Sequence, residues 1–81
     1  MLVRYFASLR EQLGIADEQL DSSAETVQAL IDELAQRGSV WQELLQDNRR
    51  LQIAVNQDLA RRNSAIKSDD EIAFFPPVTG G

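Results

Sequence analysis

The sequence predicts an α+β fold, one mixed sheet laid over one main helix, on three observations. Val27, Leu30, Ile31 and Leu34 fall at i, i+3, i+4 and i+7, the apolar stripe of an amphipathic helix. Leu51, Ile53 and Val55 alternate with Gln52, Ala54 and Asn56, the period of a strand with one buried face. Short runs rich in apolar and aromatic residues stand near both ends, Leu2 to Ala7 and Glu71 to Phe75. With 81 residues, no internal repeat and no low-complexity linker, the chain has room for a single small core.

Taken in order, Leu2 to Ala7 reads as a first strand, followed by a short helical turn over Ser8 to Leu13 that Gly14 stops. Ile15 to Leu20 reads as a returning strand, although its polar content weakens the pattern. Thr26 is an N-cap for the main helix, which runs toward Gly38. Ser39 with Gln42 makes a capping-box pattern opening a second short helix, whose Trp41, Leu44 and Leu45 lie against the core. After the polar stretch Gln46 to Arg50 comes the alternating strand, then a turn near Asn56-Gln57-Asp58. Leu59 to Ile66 reads as a short edge strand and loop. Ser68-Asp69-Asp70 makes a turn, and Glu71 to Phe75 is the final strand. The order β, short α, β, α, α, β, β, β fits the β-grasp architecture.

Composition excludes several functions. There is no Cys, hence no disulfide, no thiolate metal site and no side chain able to carry a persulfide or thioester. There is no His either, which leaves carboxylates, hydroxyls and Lys67 for chemistry and argues against a self-sufficient enzyme. Asp69-Asp70 reads as turn residues, and no metal site is expected. Thirteen acidic against eight basic residues give a net charge of −5, so a nucleic-acid surface is not expected. Arg49-Arg50 and Arg61-Arg62 read as solvated loop ends. No apolar run approaches the ~20 residues of a membrane helix, and no leader precedes the first strand, so the expected location is the cytoplasm.

The most informative feature is the ending, Phe74-Phe75-Pro76-Pro77-Val78-Thr79-Gly80-Gly81. Neither proline can donate a ladder hydrogen bond, and both favour a stiff, extended path away from the sheet. The expected division is therefore a domain over 1–75 and a tail over 76–81. Two terminal glycines carry no Cβ and can thread a narrow channel in a partner, presenting the α-carboxylate as a substrate. Extended residues span at most ~3.3 to 3.6 Å each, so Val78 to Gly81 reach on the order of 13 Å beyond the domain.

That ending resembles the small, sulfur-carrying subunit of molybdopterin synthase, the ubiquitin-like MoaD family. The resemblance extends to Phe6-Ala7, Arg10-Glu11, Thr26-Val27, Ala54-Val55-Asn56-Gln57 and Asp70-Glu71, and so covers nearly the whole chain. It implies a ubiquitin-like β-grasp fold and a non-catalytic carrier. In that family an E1-like adenylyltransferase uses ATP, with Mg, to adenylate the terminal Gly, a sulfur-donating enzyme converts the adenylate to a thiocarboxylate, and the tail enters the large synthase subunit. There sulfur passes to cyclic pyranopterin monophosphate in a 2:2 assembly. The chemistry is consistent: an α-carboxyl with a pKa of about 3.5 is ionised at pH 7 and must be activated before sulfur can attack. ATP and any molybdenum belong to the partners, and no intrinsic cofactor is implied.

By the same resemblance Gly81 carries the adenylate and then the thiocarboxylate, and Gly80 gives slender access. Phe6, Leu59 and Phe75 match positions of a hydrophobic docking face, and Pro76, Pro77, Val78 and Thr79 belong to the partner-binding tail. From the residues alone core packing is the commoner role for each large apolar one. Arg10, Arg61, Arg62, Asp69, Asp70 and Glu71 are candidates for salt-sensitive contacts around the patch. Rival readings are a ubiquitin-like protein modifier, a thiamine-pathway sulfur carrier and a plain interaction domain.

Overall fold

The computed structural model describes residues 1–77. Strand β1 (Leu2–Tyr5) leads into helix α1 (Ser8–Leu13), β2 (Asp17–Gln19), α2 (Val27–Ala35), α3 (Ser39–Trp41), β3 (Gln52–Val55), β4 (Asp58–Ala60) and β5 (Glu71–Phe75). The strands form one sheet in the order β2-β1-β5-β3-β4. The two ends of the chain meet at its centre, where β1 and β5 run parallel with Leu2 opposite Glu71 and Tyr5 opposite Phe74. The other pairings are antiparallel. This is the α+β, ubiquitin-like β-grasp arrangement expected. Among the described residues no helix is long and apolar enough to cross a membrane.

Alternation along the strands builds the core. Val3 and Tyr5 of β1, Ile53 of β3 and Ile72 and Phe74 of β5 face the helix layer and are buried. Opposite them stand Val27, Leu30, Ile31 and Leu34, the four positions of the predicted stripe. Burying a side chain of this size is worth roughly 1.5 to 3 kcal/mol. Tyr5 stacks on Phe74 with ring centroids 6.1 Å apart and meets the edge of Trp41 at 5.5 Å.

Helix α2 begins where the sequence places it. The Thr26 hydroxyl oxygen accepts from the Ala29 N–H, while Val27 and Gln28 donate to the carbonyls of Ser64 and Arg62. The loop after β4 thus satisfies donors that a helix start leaves open. Ile66 anchors that loop in the core.

The structure departs from expectation in several places. Strand β1 ends at Tyr5 and not Ala7, because Ala7 takes a positive φ of 53° that turns the chain into α1. Helix α2 stops at Ala35, short of Gly38. The Ser39–Gln42 capping box does not form: Gly38 is the N-cap, Ser39 is already helical, and no side chain caps the turn. Helix α3 continues as a π-helical segment over Gln42–Gln46, which sinks Leu45 into the core. Arg62 is no solvated loop end, since its guanidinium donates to the carbonyls of Leu45 and Asn48 at 2.8 and 2.7 Å and closes that segment. Ala54 lies on the open side of β3, where the alternation places it, yet it too is buried.

Candidate functional site

The face of the sheet turned away from the helices is where the sequence-predicted docking residues gather. On β5, Glu71, Ala73 and Phe75 point outward between the core residues Ile72 and Phe74. On β1 the outward position beside Ala73 is Arg4. On β3 it is Ala54, which pairs with Ala73 on one side and Leu59 of β4 on the other. One row across the sheet therefore reads Arg4, Ala73, Ala54, Leu59. Phe6, just past β1, keeps the register by donating its N–H to the Phe74 carbonyl.

Phe6, Leu59 and Phe75 stand outside the core, against the residue-based expectation for large apolar side chains. Leu59 is 83% exposed, on an edge strand with no neighbour beyond it to cover its side chain. Phe6 and Phe75 are half-buried and cover each other, ring on ring, with centroids 4.7 Å apart and planes 10° from parallel. The two alanines form a low floor between these larger groups. Arg4 lies over the Phe6 ring, 5.1 Å from guanidinium carbon to centroid, and its Nη1 is 3.7 Å from Glu71 Oε2.

Pro76 and Pro77 leave the end of β5 beside this face and are half-buried. The remaining predicted site residues, Val78, Thr79, Gly80 and Gly81, lie outside the described residues.

The charged residues proposed around the patch separate into distinct roles. Glu71 belongs to the face, and Arg62 is committed to the π-helical segment. Asp70 is tied into the turn before β5, accepting from the Asn56 amide at 3.0 Å and from the Lys67 backbone N–H at 2.8 Å. The Asn56 bond first, then the Lys67 bond, hold its carboxyl below the usual range. Asn56 and Gln57 both have positive φ, as the tight β3–β4 turn requires. Arg10, Arg61 and Asp69 are exposed.

Sequence reasoning missed Arg4 as part of the face and missed a buried-edge network on the helix side. There Arg37 binds both oxygens of Glu18 at 2.8 Å, and the Tyr5 hydroxyl donates to Glu18 Oε2 at 2.8 Å. The Arg37 guanidinium also lies 4.6 Å over the Trp41 ring. Arg37 is the main cause of a lowered Glu18 pKa, while burial, then Glu18, push the Tyr5 phenol up. Only strand parity, which puts Glu18 opposite Val3, signals this grouping in the sequence.

Among the described residues no group of three or more His, Cys, Asp or Glu side chains is placed to hold a metal. Two surface concavities, about 330 Å³ beside Met1, Leu20 and Ser22 and about 410 Å³ beside Gln28, Arg49 and Arg62, are open and lie off the docking face. The candidate site among the described residues is an open sheet face, not a pocket.

The model of the ThiS family matches residues 3–81. The chain belongs to the ThiS family. A curated relative, the molybdopterin synthase sulfur carrier subunit of Haemophilus influenzae, is 46% identical over 79 residues, covering 98% of this chain and 96% of the relative. A second relative of the same name, from Escherichia coli, is 39% identical over 79 residues, covering 98% of this chain and 96% of the relative. Among solved structures, SAMP1 of Haloferax volcanii superposes with a TM-score of 0.81 at 28% identity, covering 100% of this chain and 98% of that one. The complex of subunits 1 and 2 of molybdopterin-converting factor from Helicobacter pylori contains a chain matched with a TM-score of 0.65 at 28% identity, covering 99% of this chain and 96% of that one.

Proposed function

We propose that this chain carries sulfur for a molybdopterin synthase, and that the outer sheet face docks it while the Gly-Gly end does the chemistry. The observation that carries the reading is the juxtaposition on β5: the strand that contributes Phe75 to an exposed apolar face continues directly into Pro76-Pro77 and the terminal glycines. A partner that grips Phe6, Leu59 and Phe75 then receives the tail in a fixed register. The relative from Haemophilus influenzae and the Helicobacter pylori complex support a large synthase subunit as that partner.

In this reading the Gly81 carboxylate attacks the α-phosphate of ATP held by an E1-like adenylyltransferase, and pyrophosphate leaves. Sulfur from a donor enzyme displaces AMP to give the thiocarboxylate. The loaded tail enters the large subunit, the thiocarboxylate sulfur bonds to cyclic pyranopterin monophosphate, and water cleaves the resulting acyl–sulfur bond, which leaves sulfur on the pterin and returns Gly81 as a carboxylate. This chain contributes the docking face, the stiff Pro76-Pro77 spacer and two residues without Cβ.

The likeness to SAMP1, a small archaeal modifier protein, favours one second reading, in which the activated Gly81 acylates a lysine of another protein. One experiment separates the two. The untagged chain is incubated with ATP, activating enzyme and sulfur donor, and its intact mass is measured with fragmentation of the terminus. Oxygen-to-sulfur exchange at Gly81, followed by its loss when large subunit and pterin are added, is the expected result. Isopeptide-linked conjugates with no such exchange would replace the carrier reading by the modifier reading.

A further inference from the structure

Arg4 is a cation set into a face otherwise built for apolar contact. Two neighbours hold it: the Phe6 ring beneath the guanidinium, 5.1 Å from its carbon, and Glu71 at 3.7 Å. Neither uses its hydrogen-bonding capacity. A guanidinium carries five N–H donors, and 3.7 Å lies beyond hydrogen-bond range. With the side chain 42% exposed, water serves those donors in the free protein.

Docking changes that. A partner that covers Phe6, Phe75 and Leu59 must also cover Arg4, since Arg4 shares a row with Leu59 and touches Phe6. The water is then stripped from a charge whose orientation is already fixed, and leaving its donors unmatched is unfavourable. Glu71 is too distant and only singly engaged to satisfy them. A partner offering only apolar groups is rejected, whereas a carboxylate facing the guanidinium fork makes a two-bond match with little ordering cost.

We infer that Arg4 determines partner choice on this face, and that the large synthase subunit presents a carboxylate opposite it. The inference rests on the proposed docking role of the outer face. In a chain of net charge −5, one cation so placed gives the interface a local polarity opposite to that of the whole molecule, and so selects against partner surfaces that are apolar or cationic at that point.

The test is the affinity of the full-length chain for the large subunit at two salt concentrations, for the wild type, Arg4→Leu, Arg4→Lys and Leu59→Ala. Arg4→Leu is expected to bind roughly 10-fold or more weakly, with a shallower salt dependence. Arg4→Lys should recover only part of the loss, because an ammonium lacks the planar fork. Melting temperatures should match the wild type, since both positions lie outside the core. Tight binding by Arg4→Leu together with weak binding by Leu59→Ala would overturn the inference and leave the docking face standing. An unchanged salt slope in Arg4→Leu would overturn the carboxylate. Wild-type binding by both Arg4→Leu and Leu59→Ala would remove the docking face, and the inference with it.

Discussion

Leu59 has its whole side chain in water at the edge of the sheet, so its removal exposes nothing and opens no cavity. Leu59→Ala should therefore change unfolding free energy by no more than about 0.5 kcal/mol while weakening capture by the large subunit, read by denaturant titration and by binding on the same sample. At Gly81 the expectation concerns chemistry: Gly81→Ala places a methyl group where a narrow channel must pass the chain, and the rate of thiocarboxylate formation or of sulfur delivery should fall. Wild-type rates for Gly81→Ala would discard the channel argument. One extra residue after Gly81 should abolish loading, because the carboxylate then stands on the wrong atom. The candidacy of Gly81, Phe6, Leu59 and Phe75 was legible in the sequence through family likeness. Residue type alone pointed three of them into the core, since apolarity does not say which side of a sheet a strand residue faces. Arg4 was invisible for the same reason: its meaning comes from Phe6 and Glu71, which only folding brings beside it.

Within strand β5, adjacent phenylalanines face opposite sides of the sheet, Phe74 in the core and Phe75 on the proposed docking face. Phe74→Ala removes a fully buried ring and should cost about 3 to 5 kcal/mol, whereas Phe75→Ala, on the open face, should cost much less and chiefly reduce binding. Chemical denaturation of the two variants under identical conditions checks the contrast. Between β2 and the end of α2, the Glu18–Arg37 pair sets a pH dependence. The folded-state pKa of Glu18 is depressed, so the stability it contributes is fully present above the ordinary glutamate value of 4.5 and is lost as pH falls below it. The Tyr5 pKa is raised, so its contribution is present below the ordinary tyrosine value of 10.0 and lost as pH rises beyond it. Melting temperatures of wild type and Glu18→Gln should differ most between these limits and converge toward low pH. Arg62→Ala should cost about 1 to 3 kcal/mol by stranding the Leu45 and Asn48 carbonyls, with Arg62→Gln less damaging. Elements with strong periodicity, α2 and β5, were readable in the sequence. The π-helical segment was not, because no local pattern encodes an i→i+5 bond that is held by Arg62 from a distant loop.

Across the whole molecule, the helices and core occupy one side of the sheet and the proposed docking face the other, so changes to one are expected to leave the other intact. The buried cluster runs from Met1 to Phe74 and includes nothing beyond it among the described residues. Deleting 76–81 should accordingly leave the thermal transition close to that of the full chain while eliminating sulfur loading, as calorimetry and mass spectrometry can establish side by side. The strand order was only partly readable: the alternation of elements announced a mixed sheet over one helix, but the parallel contact of β1 with β5 joins residues from opposite ends of the sequence, where no local signal reaches.

The central place of β5 has a bearing on how cells make this molecule. The strand formed last in sequence is the one that joins β1 to β3, so a chain broken off by a stalled ribosome or an early stop codon before Phe75 lacks the middle of its sheet and leaves two strands with open edges. Such fragments are expected to stay unfolded and open to proteases, which limited proteolysis of a chain ending at Asp70 would check. The topology thereby ties folding to near-complete synthesis: the sheet can close only once the chain has been made through β5, which ends six residues before Gly81.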